Sequence, residues 1–212
     1  MKKLTENLDS YADRIRSELE KKDAAREKVL PLCRELIRFA SITIRAIHRQ
    51  EFDQARQLLI EGKKVKEALA QSITEWEELR YHGFVRDAQK EYTEANAVFA
   101  LVIGEPLPDP DDLNVDYTAY LNGLGDTVGE LRRYLLDKMR HGDLSRCEET
   151  LSAMDDIYTT LVTMDFPDAI TGGLRHTTDQ VRGILEKTRG DVTLAVREKE
   201  LEIKLSEYQR QN

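Results

Sequence analysis

Cysteine is almost missing from this sequence. Cys33 and Cys147 are the only two in 212 residues, and neither stands in a metal-binding or redox spacing. A zinc site and a redox motif are thereby excluded. Each thiol reads as an ordinary reduced core or boundary residue of the kind cytosolic proteins carry. Proline (5) and glycine (11) are also scarce, which favours long helices over a sheet protein with many turns. No apolar run approaches the roughly 20 residues of a membrane span. The opening stretch MKKLTENLDSYADRIRSELEKK holds no apolar signal core, so a cytoplasmic protein without membrane association is expected. Glu-x-x-His is missing too: none of His48, His82, His141 or His176 has Glu three residues before it. That excludes the di-iron bundle pattern, and the four histidines read as structural or surface residues. No Gly-rich phosphate loop or catalytic-triad signature is found.

What is present is charge. Hydrophobic residues make up 40% and charged residues 34%, with a net charge of −8. That composition is soluble yet still able to bury a core. The charge is uneven. Residues 1–80 carry 17 Lys+Arg against 15 Asp+Glu, residues 81–170 carry 7 against 18, and residues 171–212 carry 8 against 7. An acidic middle between near-neutral arms disfavours general nucleic-acid binding but permits it on a locally basic face.

Apolar spacing predicts seven helices and no strands. They run from about Leu4 to Lys28, Pro31 to Arg49, Phe52 to Leu79, Gly83 to Gly104 and Val115 to Arg140. A sixth begins behind Asp143, read as its N-cap, and reaches about Met164; the seventh starts near Ala169. Pro31 is expected in the first turn of the second helix, where its missing N–H costs nothing. EPLPDPDD, with Pro106, Pro108 and Pro110, is the clearest loop. The expected architecture is a single all-α domain over residues 1–212, a bundle of about seven long antiparallel helices.

Two patterns in these helices carry chemistry. Arg34, Arg38, Arg45 and Arg49 lie within about 60° of one another on a helix and form a stripe about 22 Å long. Leu32, Leu36, Ile37, Ile44 and Ile47 take the other side. Glu35 is the only acid between Arg34 and Arg49. A solvated face is the plain reading, but repeated guanidinium groups on one face suit phosphate binding. Such contacts are independent of base sequence and sensitive to salt. With Phe39 alone for aromatic company, base stacking on this face is disfavoured.

The second pattern is acidic. Glu91 and Glu94 share a helix face at the entrance to an apolar run, and Asp126 and Glu130 share another. Gly123, Gly125 and Gly129 surround the second pair, each weakening the helix by up to about 1 kcal/mol relative to alanine. Their presence predicts a close approach by a neighbouring helix or a ligand. If the helices bearing the pairs pack antiparallel, four carboxylates can converge. Such a cluster repels itself unless a hard divalent cation neutralises it. Mg²⁺ on oxygen ligands can activate water and steady a phosphoryl transition state. The plain reading is that the acids face water, with Glu91 also favouring the helix dipole.

These residues also carry a resemblance. Gln89-Lys90-Glu91-Tyr92-Thr93-Glu94-Ala95 resembles the "QEYVEA" stretch of the translin family. Val115-Asp116-Tyr117 with Leu121 to Leu131, LNGLGDTVGEL, is similar to its "VDYLLGVADLTGEL". The helix order and the arginine-bearing second helix, ending Ile47-His48-Arg49, match as well. Within the family the chain resembles the TRAX-type (translin-associated factor X) subunit. The resemblance implies an α-helical fold, closed oligomers with single-stranded or short duplex RNA inside, and Mg²⁺-dependent (alternatively Mn²⁺-dependent) endonucleolytic RNA cleavage. A homo-oligomer such as an octamer is expected, since the arginine stripe and the acids lie in one chain. It maps the acids that bind metal and catalyse onto Glu91, Glu94, Asp126 and Glu130. Arg34, Arg38, Arg45 and Arg49, with Lys63 or Lys64 as helpers, would hold the RNA backbone. The chain lacks the basic N-terminal extension of the eukaryotic pattern and its long insertion between the fourth and fifth helices. Whether it requires a translin partner is therefore open. Two other readings stand beside this one: a non-catalytic translin-type RNA- or ssDNA-binding oligomer, and an all-α nucleotide pyrophosphohydrolase.

Overall fold

The computed structural model describes residues 4–74 and 76–211. Its helices are α1 (Leu8–His48), α2 (Phe52–Ile73), α3 (Gly83–Ile103), α4 (Tyr117–Arg140), α5 (Cys147–Val162), a single turn α6 (Asp168–Thr171) and α7 (Leu174–Gln211), with a 3₁₀ turn at Glu77–Tyr81. No strand occurs among the described residues. The expected all-α class holds.

The expected first and second helices are one helix. Pro31 lies inside α1, not at the first turn of a new element. A proline there removes one backbone hydrogen bond and crowds the carbonyl four residues earlier. Pro31 and Glu27 are both exposed, so water can take the freed carbonyl. The expected third helix stops early, at Ile73, and the 3₁₀ turn follows; residue 75 lies outside the described residues. Asp143 does not cap α5, which starts at Cys147. Its carboxylate binds the Ser145 backbone and hydroxyl instead.

α1 and α2 form a tight hairpin. Gln50, at φ 62°, takes the left-handed conformation usually left to glycine, and Glu51 N–H donates to Ala46 O at 2.9 Å. α3 and α4 were expected antiparallel and are parallel. Arg86 on α3 shares a cavity with Thr118 and Ala119 of α4. Higher up, Gly123 abuts Lys90 and Thr93, and Asp126 groups with Glu94. The reason lies in residues 104–116. Residues 105–109, with Pro106 and Pro108, form no helix or turn, and a turn at 110–114 follows. The segment is still long enough to run back along α3 to the level of Gln89, whose side-chain oxygen accepts from Asp116 N–H at 2.8 Å. Leu113 and Val115 pack into the core on the way, and Tyr120 donates its hydroxyl to Pro108 O at 2.8 Å. At the far end Gly104, at φ 81°, caps α3. Arg146 then donates to the freed carbonyls of Leu101 and Val102.

α4, α5 and α7 share one large core with the C-terminal half of α3, including Leu131, Leu135, Met154, Leu161 and Leu185. A second cluster joins α1, α2 and the N-terminal half of α3 through Val29, Leu36, Leu69 and Val85. Both thiols are free and buried, as expected of core cysteines. Two helix ends project beyond these cores. Leu8, Tyr11, Ile15 and Leu19 of α1 are exposed, as are Leu194, Leu201, Ile203 and Leu205 of α7.

The glycines of α4 divide by environment. A Cβ at Gly123 would lie 2.7 Å from Lys90 O, a backbone atom that cannot swing aside. Gly125 packs against Thr177 of α7, whereas Gly129 has nothing within 4 Å. The close approach inferred from sequence is therefore real at two of the three. Gly123→Ala is expected to destabilise the fold by about 1–3 kcal/mol through overpacking. Gly129→Ala is expected to stabilise it by up to about 1 kcal/mol through helix propensity. Urea unfolding of both variants checks the pair, and equal effects would contradict this placement.

Candidate metal centre

The parallel register places one turn of α3 beside one turn of α4. Glu91 and Glu94 project from α3 at a three-residue spacing, which keeps them on one face. Asp126 comes from α4, level with Glu94. Each offers an oxygen, and the three oxygens lie within 4.8 Å of one another. Gly123, one turn before Asp126, lets the backbones approach closely enough for this.

The electrostatics are those of a crowded anionic site. Glu94 is 8% exposed. Burial pushes its carboxyl up to about 8, and the charges of Glu91, Asp126 and Glu130 add to the effect against Lys90. Glu91 is raised as well, first by burial and then by Asp126, Asp87 and Glu130, with Lys90 opposing. Lys90 Nζ stands 2.5 Å from Asp126 Oδ2 and 3.8 Å from Glu91 Oε1. Burial works to lower this ammonium, but Asp126, Glu91 and Glu94 outweigh it and raise it. Three oxygen donors at this separation, one of them held near neutrality by burial and then by its acidic neighbours, fit a small hard divalent cation. Such an ion would compete with Lys90 for Asp126.

Glu130 stands outside the triple. In an antiparallel pair it would have met the α3 acids. In the parallel one it lies a turn beyond Asp126, where it meets the end of α1. His48 Nε2 lies 2.5 Å from Glu130 Oε2, and the imidazole is 6% exposed. The His48 hydrogen bond, ahead of the opposing burial, holds the Glu130 carboxyl below its usual range, with the charges of His48 and Arg133 assisting. His48 Nδ1 is buried and has no partner among the described residues. His48 therefore belongs to the polar wall of this site.

Arg34, Arg38 and Arg45 are exposed on α1, and Arg49 is exposed at its C-cap. Arg38 pairs with Glu35 at 3.3 Å and sits over the Phe39 ring, 5.3 Å from its centroid. The other three form no ion pair among the described residues. Arg45 on the last turn of α1 and Arg49 at its C-cap flank His48, so the stripe ends beside the acid site. Lys63 and Lys64 are exposed on α2, and Lys64 pairs with Glu61 at 2.8 Å.

Sequence reasoning missed the other wall. A cavity of about 320 Å³ opens beside Asp126, lined by Arg86, Lys90, Asn122, His176 and Thr177 among others. Asn122 organises it. Its amide donates to Thr118 O at 2.9 Å and to Thr171 O at 3.0 Å, and it accepts from Thr177 Oγ1 at 2.8 Å. Arg86, Lys90 and Glu94 follow one another at four-residue spacing, a signal that α3 carries cations and acids on one face. His48 gave no local signal, because its partner Glu130 comes from a distant segment, and His176 gave none, because the cavity it lines is assembled from α3, α4 and the start of α7.

Comparison with known proteins places this geometry. The pattern of the Translin family matches residues 2–188. An uncharacterized protein of Methanocaldococcus jannaschii is 31% identical over 194 residues, covering 90% of this chain and 85% of that one. AfC3PO, solved in complex with duplex RNA, is similar in structure with a TM-score of 0.81 and 35% identity, over 87% of this chain and 96% of that one. Another AfC3PO crystal structure gives 0.80 at the same identity and coverage. Apo-NeC3PO, at 18% identity and a TM-score of 0.76 over the same shares, bears on the fold alone. No helix among the described residues is long and apolar enough to cross a membrane.

Proposed function

This chain belongs to the Translin family, and from that premise we propose that it is a TRAX-like, Mg²⁺-dependent endoribonuclease that binds RNA inside a closed homo-oligomer. The observation that carries the reading is the convergence of Glu91, Glu94 and Asp126 within 4.8 Å. RNA as the partner is supported by the likeness to AfC3PO, which was solved with duplex RNA. Oligomer formation is supported by the apolar stripe of Leu8, Tyr11, Ile15 and Leu19, exposed at the projecting end of α1. Those side chains follow helical spacing, find no core in their own chain and suit a second copy of it.

Each group has a role. Glu91, Glu94 and Asp126 hold the metal. Mg²⁺, when bound, supplies Lewis-acid stabilisation of the phosphoryl group and an activated water for phosphodiester hydrolysis. Glu130, kept ionised by His48, adds negative potential one turn away and completes the acid set. Lys90, released from Asp126, is placed to meet a phosphate oxygen. Arg86, in the adjoining cavity, holds the neighbouring phosphate. The α1 arginines track the backbone toward the site without reading bases.

The test uses labelled RNA, single-stranded and duplex, with and without Mg²⁺, alongside free nucleoside triphosphates. Mg²⁺-dependent RNA fragments with untouched nucleotides are expected. Binding without fragments would indicate a non-catalytic translin-type binder, and nucleotide hydrolysis alone a pyrophosphohydrolase. In the same assay, replacing Arg38 and Arg45 together with glutamine should weaken RNA binding. It should also reduce the slope of log K against log salt by about 0.9 per lost phosphate contact for duplex and about 0.7 for single strands. An unchanged slope would remove the stripe from the RNA path.

A further inference from the structure

A second cavity, of about 90 Å³, lies among α2, the 3₁₀ turn and the segment leading into α4. It is lined by Lys66, Arg80, Tyr81, Gln89, Asn114 and Asp116 among others. None of these belongs to the carboxylate site or the arginine stripe. Lys66 is 4% exposed, and among the described residues it forms no ion pair or side-chain hydrogen bond. Among the described residues Arg80 forms no ion pair either. Buried charge is costly unless paired, yet the charge that acts on Lys66 is a second cation, Arg80. Burial and then Arg80 bring the Lys66 ammonium down to about 8, so it is mostly protonated at neutral pH.

The acid in the lining is not the missing partner. Asp116 turns its Oδ1 onto the start of α4, accepting from Thr118 N at 2.9 Å and Ala119 N at 3.4 Å. The Gln89 amide oxygen is taken by Asp116 N–H at 2.8 Å. Beside the Asp116 carboxylate, the lining offers donors from four side chains: the Lys66 ammonium, the Arg80 guanidinium, the Asn114 amide and the Tyr81 hydroxyl. We propose that this cavity binds a phosphate group, either as a free phosphate or phosphomonoester or as the terminal phosphate of an RNA strand. A tetrahedral dianion suits the volume, a guanidinium fork matches its oxygens, and a lysine at the base supplies a point charge. The proposal stands whether or not the carboxylate cluster cleaves RNA.

Calorimetric titration of the full chain with inorganic phosphate tests it. The wild type is expected to bind. Lys66→Met and Arg80→Gln are each expected to weaken binding by about tenfold or more, the scale of losing one charge-assisted hydrogen bond. Lys187→Met, which removes an exposed charge on α7, is expected to leave binding unchanged. Lys66→Met exchanges an unpaired buried charge for an apolar chain of similar length, so its fold should persist; circular dichroism checks this, and exposed Arg80 supplies a second variant with little risk to folding. Oligoribonucleotides with a 5′-phosphate or a 5′-hydroxyl, competed against phosphate, separate the sources. Competition by the phosphorylated strand alone assigns the site to an RNA end, and competition by neither assigns it to a free phosphate or small phosphomonoester. No phosphate binding by the wild type, or equal binding by wild type and both site variants, would overturn the proposal.

Discussion

Asp126→Ala is expected to abolish RNA cleavage in Mg²⁺ while leaving RNA affinity largely intact, and Glu91→Ala to do the same. Losing a group that merely orients a metal ligand costs about 10–100-fold, so removing a ligand itself should cost more than about 100-fold in rate. Binding should survive because the phosphate contacts proposed for α1 lie on exposed arginines that neither change touches. Asp126→Ala also strips Lys90 of its 2.5 Å partner. A melting curve recorded beside the cleavage assay separates lost chemistry from lost folding. Full activity in either variant would sink the metal assignment, and loss of RNA binding in step with activity would point to misfolding.

The second large effect is on stability. In chelator, the protein should lose stability as pH rises from about 4.5 to about 8. Glu94 is raised from 4.5 to about 8 in the folded state. Between those values the folded chain holds a proton that the unfolded chain has released, so raising the pH favours unfolding. At 1.36 kcal/mol per unit the full shift amounts to a few kcal/mol, on the order of 3 once repulsion is shared with Glu91 and Asp126. The lowered Glu130 acts below this window and the raised Lys90 above it. Glu94→Gln should flatten the slope and be the more stable protein at pH 8 in chelator, though a poorer metal binder. Mg²⁺ at pH 8 should stabilise the wild type by linkage and the variant much less. Urea unfolding at pH 5 and pH 8, with and without Mg²⁺, reads all of this. An equal slope in wild type and Glu94→Gln would dismiss Glu94 as its source.

Such instability follows from what the site has to do. A cluster preset for a divalent cation must keep its oxygens together without one. The fold meets the cost by burying Glu94, which favours its neutral form, by giving Lys90 to Asp126 and Glu91, and by anchoring Glu130 on His48. Stability lost locally is made up in the two cores, where Leu36, Leu69, Leu131, Leu135 and Met154 are fully enclosed.

The pairs Glu91/Glu94 and Asp126/Glu130 were legible from sequence because a three- or four-residue spacing fixes a shared helix face before any packing occurs. The arginine stripe was legible for the same reason. So was the close approach at Gly123, since glycine in mid-helix signals missing volume. Pro31 misled, because the rule that proline starts a helix presumes that a lost hydrogen bond must be avoided, and on an exposed face it need not be. The direction of α4 misled too, because a short proline-rich segment reads as a simple turn when its extended reach is left out.

The sequence by itself thus determined the helical class, the one-sided placement of charge along each helix and the oxygen chemistry the acids can offer. All of these depend on residues within a turn or two of each other. Only the tertiary structure decided that α3 and α4 run parallel, that Asp126 rather than Glu130 joins the α3 acids, and that His48, Arg86 and His176 wall the site. Those outcomes depend on register between segments dozens of residues apart, which is set by how the whole apolar surface packs.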